Sequence, residues 1–547
     1  MVSLNEWRVF SSVVLIVICL SFACGAESIS VTDHGTVYID AIKRIAKTDS
    51  HFICVNIDMW PPAKCDYGVC SWGNASLLTV DLNNPILINA VKAFLRVRLR
   101  LGGTLQDRLT YQTSRTSPCS VFTYNPSYLF NYTDGCLSLD RWDQINSFVK
   151  RTGAIPIFGL NALAGKIVHP HPEPLTPLDP TTATGPWDPT NSEELIRYTH
   201  EEKDYYMYGW ELGNELGGIP VEGVRVEPEQ YAADAANLEK LLKRIYVTKR
   251  AIDAPAVIAP GGVFEYDWFK KFITNESRPS GIITHHTYPL GSGDWYDTNL
   301  KNKILNASVL DEGAEVFRQM RELIQQSPTV TFAWIGESGG VYNSGRDGIT
   351  NTFLFSFWYL DHMATAAVYD TKVYCRQTLV GGNYALLDTT TFIPNPDYYS
   401  ALLWHRLMGT RVLMTSYKGT KDLRAYAHCA KQSDGITVLL INLSGDTIVK
   451  TKVGLRKLME PLPPNHEQAY REEYHLSPMD GNLQSRTVLL NGKPLFVGPS
   501  GAIPTLKPKQ VVYSEPITVD PHTIAFVHIP HFLIPACQSL YVDHDDM

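Results

Sequence analysis

The chain has 547 residues, of which 44% are apolar and 19% charged, and its formal net charge is −8. This composition excludes an intrinsically disordered protein and leaves room for one large domain with a smaller one beside it. The negative charge argues against nucleic acid as a partner. It also argues against a strongly sulfated polyanion, unless the fold creates a basic groove locally.

Residues 1–26 have the features of a secretory signal peptide. Arg8 precedes the apolar run Val13–Leu20, and small residues suited to a cleavage site follow, namely Ala23, Gly25 and Ala26. The alternative is a retained membrane anchor, but the run is shorter than the ~20 residues that a span needs. We therefore predict that this segment is removed and that the rest of the chain has no transmembrane span.

Eight apolar, strand-like runs recur within residues 52–410, mostly separated by helical stretches such as Leu139–Arg151, Pro228–Ala251 and Gly313–Gln326. The runs are Phe52–Ile57, Phe94–Leu101, Ile155–Leu160, Tyr206–Leu212, Ala256–Ala259, Ile282–His286, Thr331–Ile335 and Ala367–Cys375. This alternation predicts an α/β fold of the (β/α)₈ TIM-barrel type over residues 52–410. An open doubly wound sheet is the alternative.

The pattern changes in residues 411–547, where strand-like runs follow one another with turn signals and little helix. The runs are Val412–Ser416, Leu423–Cys429, Thr437–Leu443, Thr487–Leu490, Val511–Ser514 and Thr523–His528. They predict a C-terminal antiparallel β-sandwich domain, which we expect residues 27–51 to join as a strand. The Pro-rich segment His169–Pro189 is typical of a long surface loop, expected on the active face of the barrel.

Ten cysteines are present, and two of them, Cys19 and Cys24, fall in the signal-like segment. In an oxidising compartment we predict a Cys429–Cys537 disulfide, with Cys119–Cys136 as a second, local pair. Cys54 and Cys375 lie inside apolar runs and are predicted to be buried free thiols. No cysteine cluster has zinc-ligand spacing and no Gly-rich phosphate loop is visible, so no metal site is predicted.

Five Asn-x-Ser/Thr sequons fit a secreted glycoprotein. They begin at Asn74, Asn131, Asn275, Asn306 and Asn442.

Two acidic motifs, Trp210–Glu215 and Trp334–Glu337, stand where strand-like runs end. In a (β/α)₈ barrel the active site forms at the carboxyl ends of the strands. Glu215 follows the fourth run and Glu337 ends the seventh, so the two carboxylates are expected across the barrel mouth from each other. One such carboxyl group can protonate a departing glycosidic oxygen while the other attacks the sugar or activates water. Other polar residues are expected at the same level, namely Asp58, Thr104, Asn161, His285, His286 and Tyr288.

Asn214-Glu215 and Glu337 resemble the catalytic motifs of the retaining glycoside hydrolases of clan A. From about residue 50 to the C-terminus, the chain resembles more closely the heparanase-like β-glucuronidases of glycoside hydrolase family 79, especially the plant members. The matching stretches are residues 52–58, 101–104, 158–163, 210–215, 285–288, 336–338, 382–384 and 408–414.

The resemblance implies that Glu215 is the acid/base and Glu337 the nucleophile of a double displacement that needs no cofactor. Asn214 is expected to bond the 2-hydroxyl of the sugar, and His286 and Tyr288 to orient Glu337 or to contact the sugar. Glu211, four residues before Glu215, is expected to be a structural partner.

The family also implies a pocket for the carboxylate of glucuronic acid. Tyr342 and Tyr384 are expected to bind it, together with the backbone amide of Gly382 or Asn383. Asp58 and Thr104 complete the predicted substrate-binding residues. The chain departs from the heparanase-type members at Asn343 and Ser344, where those members have glycines.

Two further departures bear on the substrate. The stretch Pro260–Asp267 has no basic cluster before Lys270-Lys271, and residues 105–140 are too short for the activation linker of heparanase. We therefore predict a single-chain retaining β-glucuronidase that acts on arabinogalactan-type cell-wall glycans or small aromatic glucuronides. The alternatives are an endo-acting heparanase-like glycosidase and a catalytically silent carbohydrate-binding protein.

The expected location is the extracellular space, including the cell wall, or the lysosome or vacuole. Peripheral association with a membrane is left open.

Overall fold

The structure of the protein is a computed structural model that describes residues 31–538, apart from 170–180, 222, 247–253, 457–468, 531 and 533. The predicted signal peptide, residues 1–26, lies outside the described residues, as does most of the first half of the Pro-rich segment. Within the described ranges, no helix is long and apolar enough to cross a membrane.

Eight parallel strands form a closed barrel in which each strand pairs with the next along the chain and the last pairs with the first. After an N-terminal strand β1 (Val31–Lys47), the barrel strands are β2 (Ile53–Asp58), β3 (Arg98–Gly102), β4 (Ile155–Leu160), β5 (Gly209–Leu212), β6 (Ala256–Val263), β7 (Gly281–His286), β8 (Thr331–Ser338) and β9 (Val373–Arg376). The predicted TIM-barrel fold is confirmed, and its closure excludes the open doubly wound sheet.

Helices cover the outside of the barrel and join its strands. They are α1 (Pro85–Lys92), α2 (Leu139–Thr152), α3 (Thr190–Arg197), α4 (Pro228–Tyr246), α5 (Tyr266–Ile273), α6 (Leu300–Ile304), α7 (Ala307–Glu312), α8 (Ala314–Gln325), α9 (Phe355–Val368) and α10 (Pro396–Leu407). Local sequence fixes the ends of α2. The Ser138 side chain accepts a hydrogen bond from the Arg141 amide at 3.2 Å, and Gly153 ends the helix at φ 71°.

Three barrel strands begin three or more residues later than the sequence predicts. Phe94 is a buried residue just beyond α1, and Ala367 belongs to the last turn of α9. Tyr206 lies three residues before β5 and is 56% exposed. In the first two cases the apolar residues pack the end of a helix, and a short apolar run in the sequence does not distinguish a helix end from the start of a strand.

The C-terminal region forms one hydrogen-bonded sheet of 11 strands. Its strands after the barrel are β10 (Met408–Lys418), β11 (Leu423–Ala430), β12 (Ile436–Asn442), β13 (Thr447–Arg456), β14 (Tyr470–Pro478), β15 (Val488–Leu490), β16 (Lys493–Pro494), β17 (Lys509–Val512), β18 (Ile517–Val519) and β19 (Ile524–Ile529). The sheet order is β16-β15-β14-β19-β12-β11-β10-β1-β13-β18, and β17 pairs with β14.

Strand β1 is an inner strand of this sheet, antiparallel to β10 and parallel to β13. The domain is therefore rich in antiparallel pairs but not purely antiparallel. Residues from distant strands, such as Ile39, Val438, Val519 and Val527, belong to one buried apolar cluster. The sheet thus folds over a core of its own, as the inner faces of a sandwich do.

Polarity changes along the inside of the barrel. Near the amino ends of the strands, Cys54, Ile157, Ile258 and Trp334 form an apolar cluster. Arg100 of β3 is buried closer to the carboxyl ends, where it bonds Glu337 at the mouth. Side chains alternate in direction along a strand, and that of Arg100 points into the barrel. Arg98 lies over the Trp334 ring of the apolar cluster.

The expected free thiols of Cys54 and Cys375 are a wrong prediction, because the structure joins them in a disulfide. The two cysteines are 321 residues apart but face each other across the β2–β9 pair, which closes the barrel. The two cysteines are buried, as the apolar runs predict. An apolar run does not show which strand will lie beside it, so the pairing was not predicted.

Three further disulfides are present among the described residues. Cys119–Cys136 and Cys429–Cys537 are the two pairs named from the sequence. Cys65–Cys70, which the sequence analysis did not pair, closes a loop beyond β2.

Asn442 is not a plausible glycosylation site, which corrects the prediction for one of the five sequons. Its side chain is fully buried, and its amide nitrogen donates to the carbonyl oxygens of Thr447, Val519 and Asp520 at 2.8, 3.2 and 3.0 Å. A glycan on that nitrogen would remove these bonds from the core. Asn74, Asn131 and Asn306 are exposed and Asn275 is partly exposed, so these four sequons stay predictions.

Replacing Asn442 by alanine is expected to destabilise the protein by about 2–4 kcal/mol, because the buried carbonyl oxygen of Val519 and the partly buried carbonyl oxygens of Thr447 and Asp520 lose their donor. Urea unfolding of the variant measures this, with Asn74→Ala at an exposed sequon as the control. Unfolding at the wild-type midpoint would contradict the structural role, and so would a glycan detected on Asn442 by mass spectrometry.

Candidate active site

A tight turn after β5 carries Glu215. Gly213 has φ 75°, and a side chain there would overlap the Tyr231 hydroxyl, which donates to the Leu212 carbonyl at 2.6 Å. Glu215 itself has φ 55°, and its amide donates to the Gly261 carbonyl at 2.7 Å. These contacts hold the turn, so that the Glu215 side chain is placed by the backbone of the neighbouring strand β6.

Asp107, which the sequence analysis did not single out, fixes Asn214 within this turn. Its two carboxyl oxygens accept the amides of Asn214 and Ala162, each at 2.7 Å. Burial raises the pKa of Asp107 to about 8. The two hydrogen bonds from the amides act in the opposite direction, because they favour the ionised form. The bonds link the loops after β3, β4 and β5.

The two predicted catalytic carboxyl groups lie close together. Glu215 and Glu337 are each 6% exposed. One oxygen of each, together with one ring nitrogen of His286, lies within 4.8 Å of the others. Among the described residues this is the one group spaced to hold a metal ion. However, the Arg100 guanidinium 2.9 Å from Glu337 already supplies positive charge there, which disfavours a second cation.

Both oxygens of Glu337 accept hydrogen bonds. The Tyr288 hydroxyl donates to Oε1 at 2.5 Å, and Arg100 Nη1 donates to Oε2 at 2.9 Å. Burial raises the pKa of Glu337, but the positive charge of Arg100 and the hydrogen bonds from Tyr288 and Arg100 lower it, and the net pKa lies below its ordinary value. Glu337 is therefore ionised at neutral pH.

Glu215 has the opposite protonation state. Burial and the negative charge of Glu337 raise its pKa well above the ordinary value, so it holds a proton near neutral pH. Its Oε1 lies 2.9 Å from His286 Nδ1. Burial lowers the pKa of His286 to about 3, so the imidazole is neutral, and Arg100 and Tyr288 stabilise the Glu337 carboxylate at neutral pH.

His286 therefore contacts a different carboxyl group from the one expected. The family resemblance implies a role beside Glu337 or the sugar, but Nδ1 of His286 is 4.0 Å from Glu337 and bonds Glu215 instead. Tyr288, two residues later, makes the expected contact with Glu337.

Arg100 is the main site residue that the sequence analysis missed. Its Nε donates to Glu211 at 2.6 Å, and its other two nitrogens donate to Glu337 and to Asn214 Oδ1, the latter at 2.7 Å. Glu211 is fully buried and serves as the structural partner that was expected. A signal was available, because Arg98 and Arg100 alternate with leucines in a buried run, which places both on one face of the strand.

Asp58 lies at the carboxyl end of β2, and its Oδ2 accepts from Gln377 Nε2 at 2.8 Å. Its Oδ1 is buried and has no hydrogen-bond partner among the described residues. Gly103, with φ 107°, packs its backbone against this carboxyl group. A side chain at position 103 would overlap the Asp58 carboxyl group. Thr104, the next residue, is 7% exposed and begins a short helical turn.

Tyr384 belongs to the same cluster. It is 4% exposed, and its hydroxyl accepts from Gln377 Nε2 at 3.4 Å. Gly382 is buried beside the Tyr384 ring. The amide of Asn383 is not free to bind a substrate, as it donates to the Ser344 carbonyl at 2.7 Å. This corrects one of the two amides proposed for the sugar carboxylate and leaves Gly382.

Tyr342 lies at the rim, with 43% of its surface exposed. The two residues after it, which replace the family's glycines, have φ values of 56° and 64°. Asn343 Nδ2 donates to the Tyr67 hydroxyl at 2.8 Å, and the Ser344 hydroxyl donates to the Asp66 carboxylate. The disulfide-closed loop beyond β2 thus holds the loop beyond β8.

Two other polar residues named from the sequence lie elsewhere. Asn161 Nδ2 donates to the Leu109 carbonyl at 3.1 Å, which is a loop contact. His285 is fully buried, and its ring lies against Phe264 and Phe317. Adjacent strand residues point to opposite faces, so His285 points towards the helices and His286 towards the mouth.

A family model described as "Glycosyl hydrolase family 79, N-terminal domain" matches residues 34–364. The chain belongs to this family. Heparanase-like protein 3 of Arabidopsis thaliana is 46% identical over 97% of this chain and 99% of its own. Baicalin-beta-D-glucuronidase of Scutellaria baicalensis is 46% identical over 96% of this chain and 98% of its own. Heparanase of Bos taurus is 27% identical and covers 75% of this chain.

Solved structures support the fold of this family 79 glycoside hydrolase. The GH51 arabinofuranosidase of Xanthomonas axonopodis pv. citri has a TM-score of 0.61 and 15% identity, and the match covers 91% of this chain and 99% of the other. A 4-O-alpha-L-rhamnosyl-beta-D-glucuronidase of Fusarium oxysporum 12S has a TM-score of 0.56, 14% identity and coverage of 90% and 100%. At these identities the likeness concerns the fold alone.

Proposed function

We propose that this family 79 glycoside hydrolase is a retaining β-glucuronidase that removes terminal β-linked glucuronic acid by double displacement. The observation that carries the proposal is the approach of a Glu215 oxygen and a Glu337 oxygen to within 4.8 Å. Retaining enzymes hold their carboxyl groups ~5–5.5 Å apart, whereas inverting enzymes leave ~6.5–9.5 Å for a water molecule.

In the first step, Glu337 attacks the anomeric carbon and Glu215 gives its proton to the departing oxygen. The opposite protonation states of the two groups suit these roles, because the nucleophile must be ionised and the acid protonated. Tyr288 and Arg100 hold both oxygens of the nucleophile in place. The products of this step are the free aglycone and a glucuronosyl ester of Glu337.

In the second step, water cleaves this ester. Formation of the ester removes the negative charge of Glu337, which is one of the causes that raise the pKa of Glu215. The ionised Glu215 can then take a proton from the attacking water, which restores both groups. The configuration at the anomeric carbon is retained after two inversions.

Neutral donors are proposed to bind the sugar. Asn214 Oδ1 already accepts from Arg100, which leaves its amide nitrogen to donate to the 2-hydroxyl. Tyr384 and Tyr342, with the amide of Gly382, are proposed to hold the sugar carboxylate. Burial raises the pKa of Tyr384 well above its ordinary value, so it remains a donor. The free Oδ1 of Asp58 is suited to accept from a sugar hydroxyl.

The proposed substrates are small aromatic glucuronides or glucuronic acid at the ends of arabinogalactan-type glycans. The printed name of the Scutellaria baicalensis relative supports the first class. A location outside the cytosol, in the cell wall, vacuole or lysosome, is also proposed. Four disulfides and exposed sequons support it, because disulfides persist in oxidising compartments.

The acid/base role gives a test. Wild-type enzyme is expected to hydrolyse 4-nitrophenyl β-D-glucuronide with a bell-shaped pH profile, limited at low pH by protonation of Glu337 and at high pH by ionisation of Glu215. Glu215→Gln should abolish the alkaline limb. It should also slow hydrolysis of methyl β-D-glucuronide by about 10²–10⁴-fold, and that of the nitrophenyl substrate, whose leaving group needs less protonation, by a smaller factor.

Glu312→Gln, at an exposed glutamate, is the control and should leave the profile unchanged. A wild-type protein that binds glucuronate-bearing glycans without hydrolysing any β-glucuronide would support the silent binding protein instead. Internal cleavage of a glucuronate-bearing polymer, seen by chain-length analysis, would support the endo-acting alternative.

A further inference from the structure

An exposed pair of aromatic rings lies on the loop between β7 and α6. Trp295 is 57% exposed and Tyr296 71% exposed, and their ring centroids are 3.8 Å apart at an interplanar angle of 30°. Neighbouring large aromatic side chains left this open to water are a feature of ligand-binding surfaces. None of the catalytic contacts described above involves either ring.

The pair lies beside the active-site rim. The loop that carries it runs next to the loop after β8, where Ser292 pairs with Tyr342 and the Gly293 amide donates to the Tyr342 carbonyl at 3.0 Å. Tyr342 follows the nucleophile Glu337 by five residues, so at ~3.3–3.6 Å per residue it lies within roughly 18 Å of it. Trp295 is two residues beyond Gly293.

The backbone beneath the rings is fixed although the rings are free. Arg346, from the loop after β8, donates to the carbonyls of Asp297 at 2.6 Å and Trp295 at 3.3 Å. The Asp294 carboxylate accepts the amide of Tyr296 at 2.9 Å. The rings are therefore presented on a preorganised support, which lowers the entropic cost of binding a ligand.

We propose that Trp295 and Tyr296 form the aglycone subsite and stack on a planar, uncharged aromatic group attached to glucuronic acid. The inference rests on the proposed β-glucuronidase function and names its substrate class. Aromatic faces favour stacking on flat rings. Arg346, which bonds this loop, is engaged by backbone carbonyls, so an anionic aglycone gains little there. Tyr67, 39% exposed and bonded to Asn343, adds a further ring on the neighbouring loop.

The test compares substrates within each variant. Trp295→Ala and Tyr296→Ala are expected to raise the KM for 4-methylumbelliferyl β-D-glucuronide by about 3- to 10-fold, the range of a lost aromatic contact. The KM for methyl β-D-glucuronide and the inhibition constant of free glucuronate should stay at wild-type values, and Trp295→Phe should restore most of the affinity. Tyr206→Ala, an equally exposed ring at the opposite end of the barrel, is the matched control.

Equal effects on both substrates, or none on either, would overturn the subsite. A separate measurement distinguishes its failure from failure of the proposed function: calorimetric binding of 4-methylumbelliferyl β-D-glucuronide to Glu337→Gln, with and without Trp295→Ala. Weaker binding in the double variant supports the subsite even if the wild type hydrolyses no glucuronide. Unchanged binding, or no binding to either variant, contradicts it.

Discussion

Glu337→Gln is expected to lower kcat for aryl β-glucuronides by about 10⁴-fold or more, the usual result of removing a group that forms the covalent intermediate. The amide is a poor nucleophile and carries no charge to stabilise the developing oxocarbenium ion. It also presents an NH₂ group to Tyr288 or Arg100, which are both donors to the native carboxylate. Steady-state kinetics on 4-nitrophenyl β-D-glucuronide measures the loss.

A trapping experiment identifies the nucleophile directly. Wild-type enzyme incubated with a 2-deoxy-2-fluoro glucuronyl fluoride should accumulate a glycosyl ester on the peptide that contains Glu337, detected by mass spectrometry. The Glu337→Gln variant should not be labelled, and the exposed-site control Glu312→Gln should be labelled like the wild type. An ester on Glu215, or substantial turnover by Glu337→Gln, would reverse the assignment.

Arg100→Met is expected to be costly for both stability and catalysis. Its guanidinium is 2% exposed and contacts two carboxylates, so its loss leaves Glu211 as a buried charge without its cation. Breaking such a buried pair costs about 3–5 kcal/mol. The pKa of Glu337 should also rise, and its carboxylate loses a hydrogen bond that holds it in place. Because misplacement of a catalytic group typically costs about 100-fold, kcat/KM near neutral pH should fall by about that factor. Urea unfolding and the acidic limb of the pH profile measure the two effects.

A double variant separates these effects. Arg100→Met with Glu211→Gln removes the uncompensated charge, so part of the lost stability should return while activity stays low. Arg318→Met, at an exposed arginine on α8, is the control and should match the wild type in both measurements. Recovery of full activity in the double variant would mean that Arg100 serves only to neutralise Glu211.

The barrel was predictable because its signals are local. Each strand is a short apolar run, and the eight runs appear in chain order with helices between them, so the topology follows from succession alone. Glu215 and Glu337 were found for the same reason, since each stands at the end of its run. The start of the strand after Ala367 was misplaced because apolar helix ends resemble apolar strands.

The partners of the site residues were not predictable in this way. Arg100 meets Glu211 across 111 positions and Glu337 across 237, and His286 bonds Glu215, 71 positions away, rather than Glu337 as expected. Such contacts depend on which side chains face the barrel axis at the same height. Alternation gives the face, but the height depends on the register of all eight strands together.

The sequence by itself determined the fold class and predicted the two candidate catalytic carboxyl groups, because both depend on residues near one another in the chain. The tertiary structure alone decided their protonation states, the Cys54–Cys375 bridge and the burial of Asn442. Closure of the barrel joins Cys54 to Cys375, and the packing of strands remote in sequence removes Glu215, Glu337 and Asn442 from water. Burial and nearby charges set a pKa, and the spatial neighbour of a residue decides its disulfide or hydrogen bond. The linear sequence specifies neither the burial nor the neighbours.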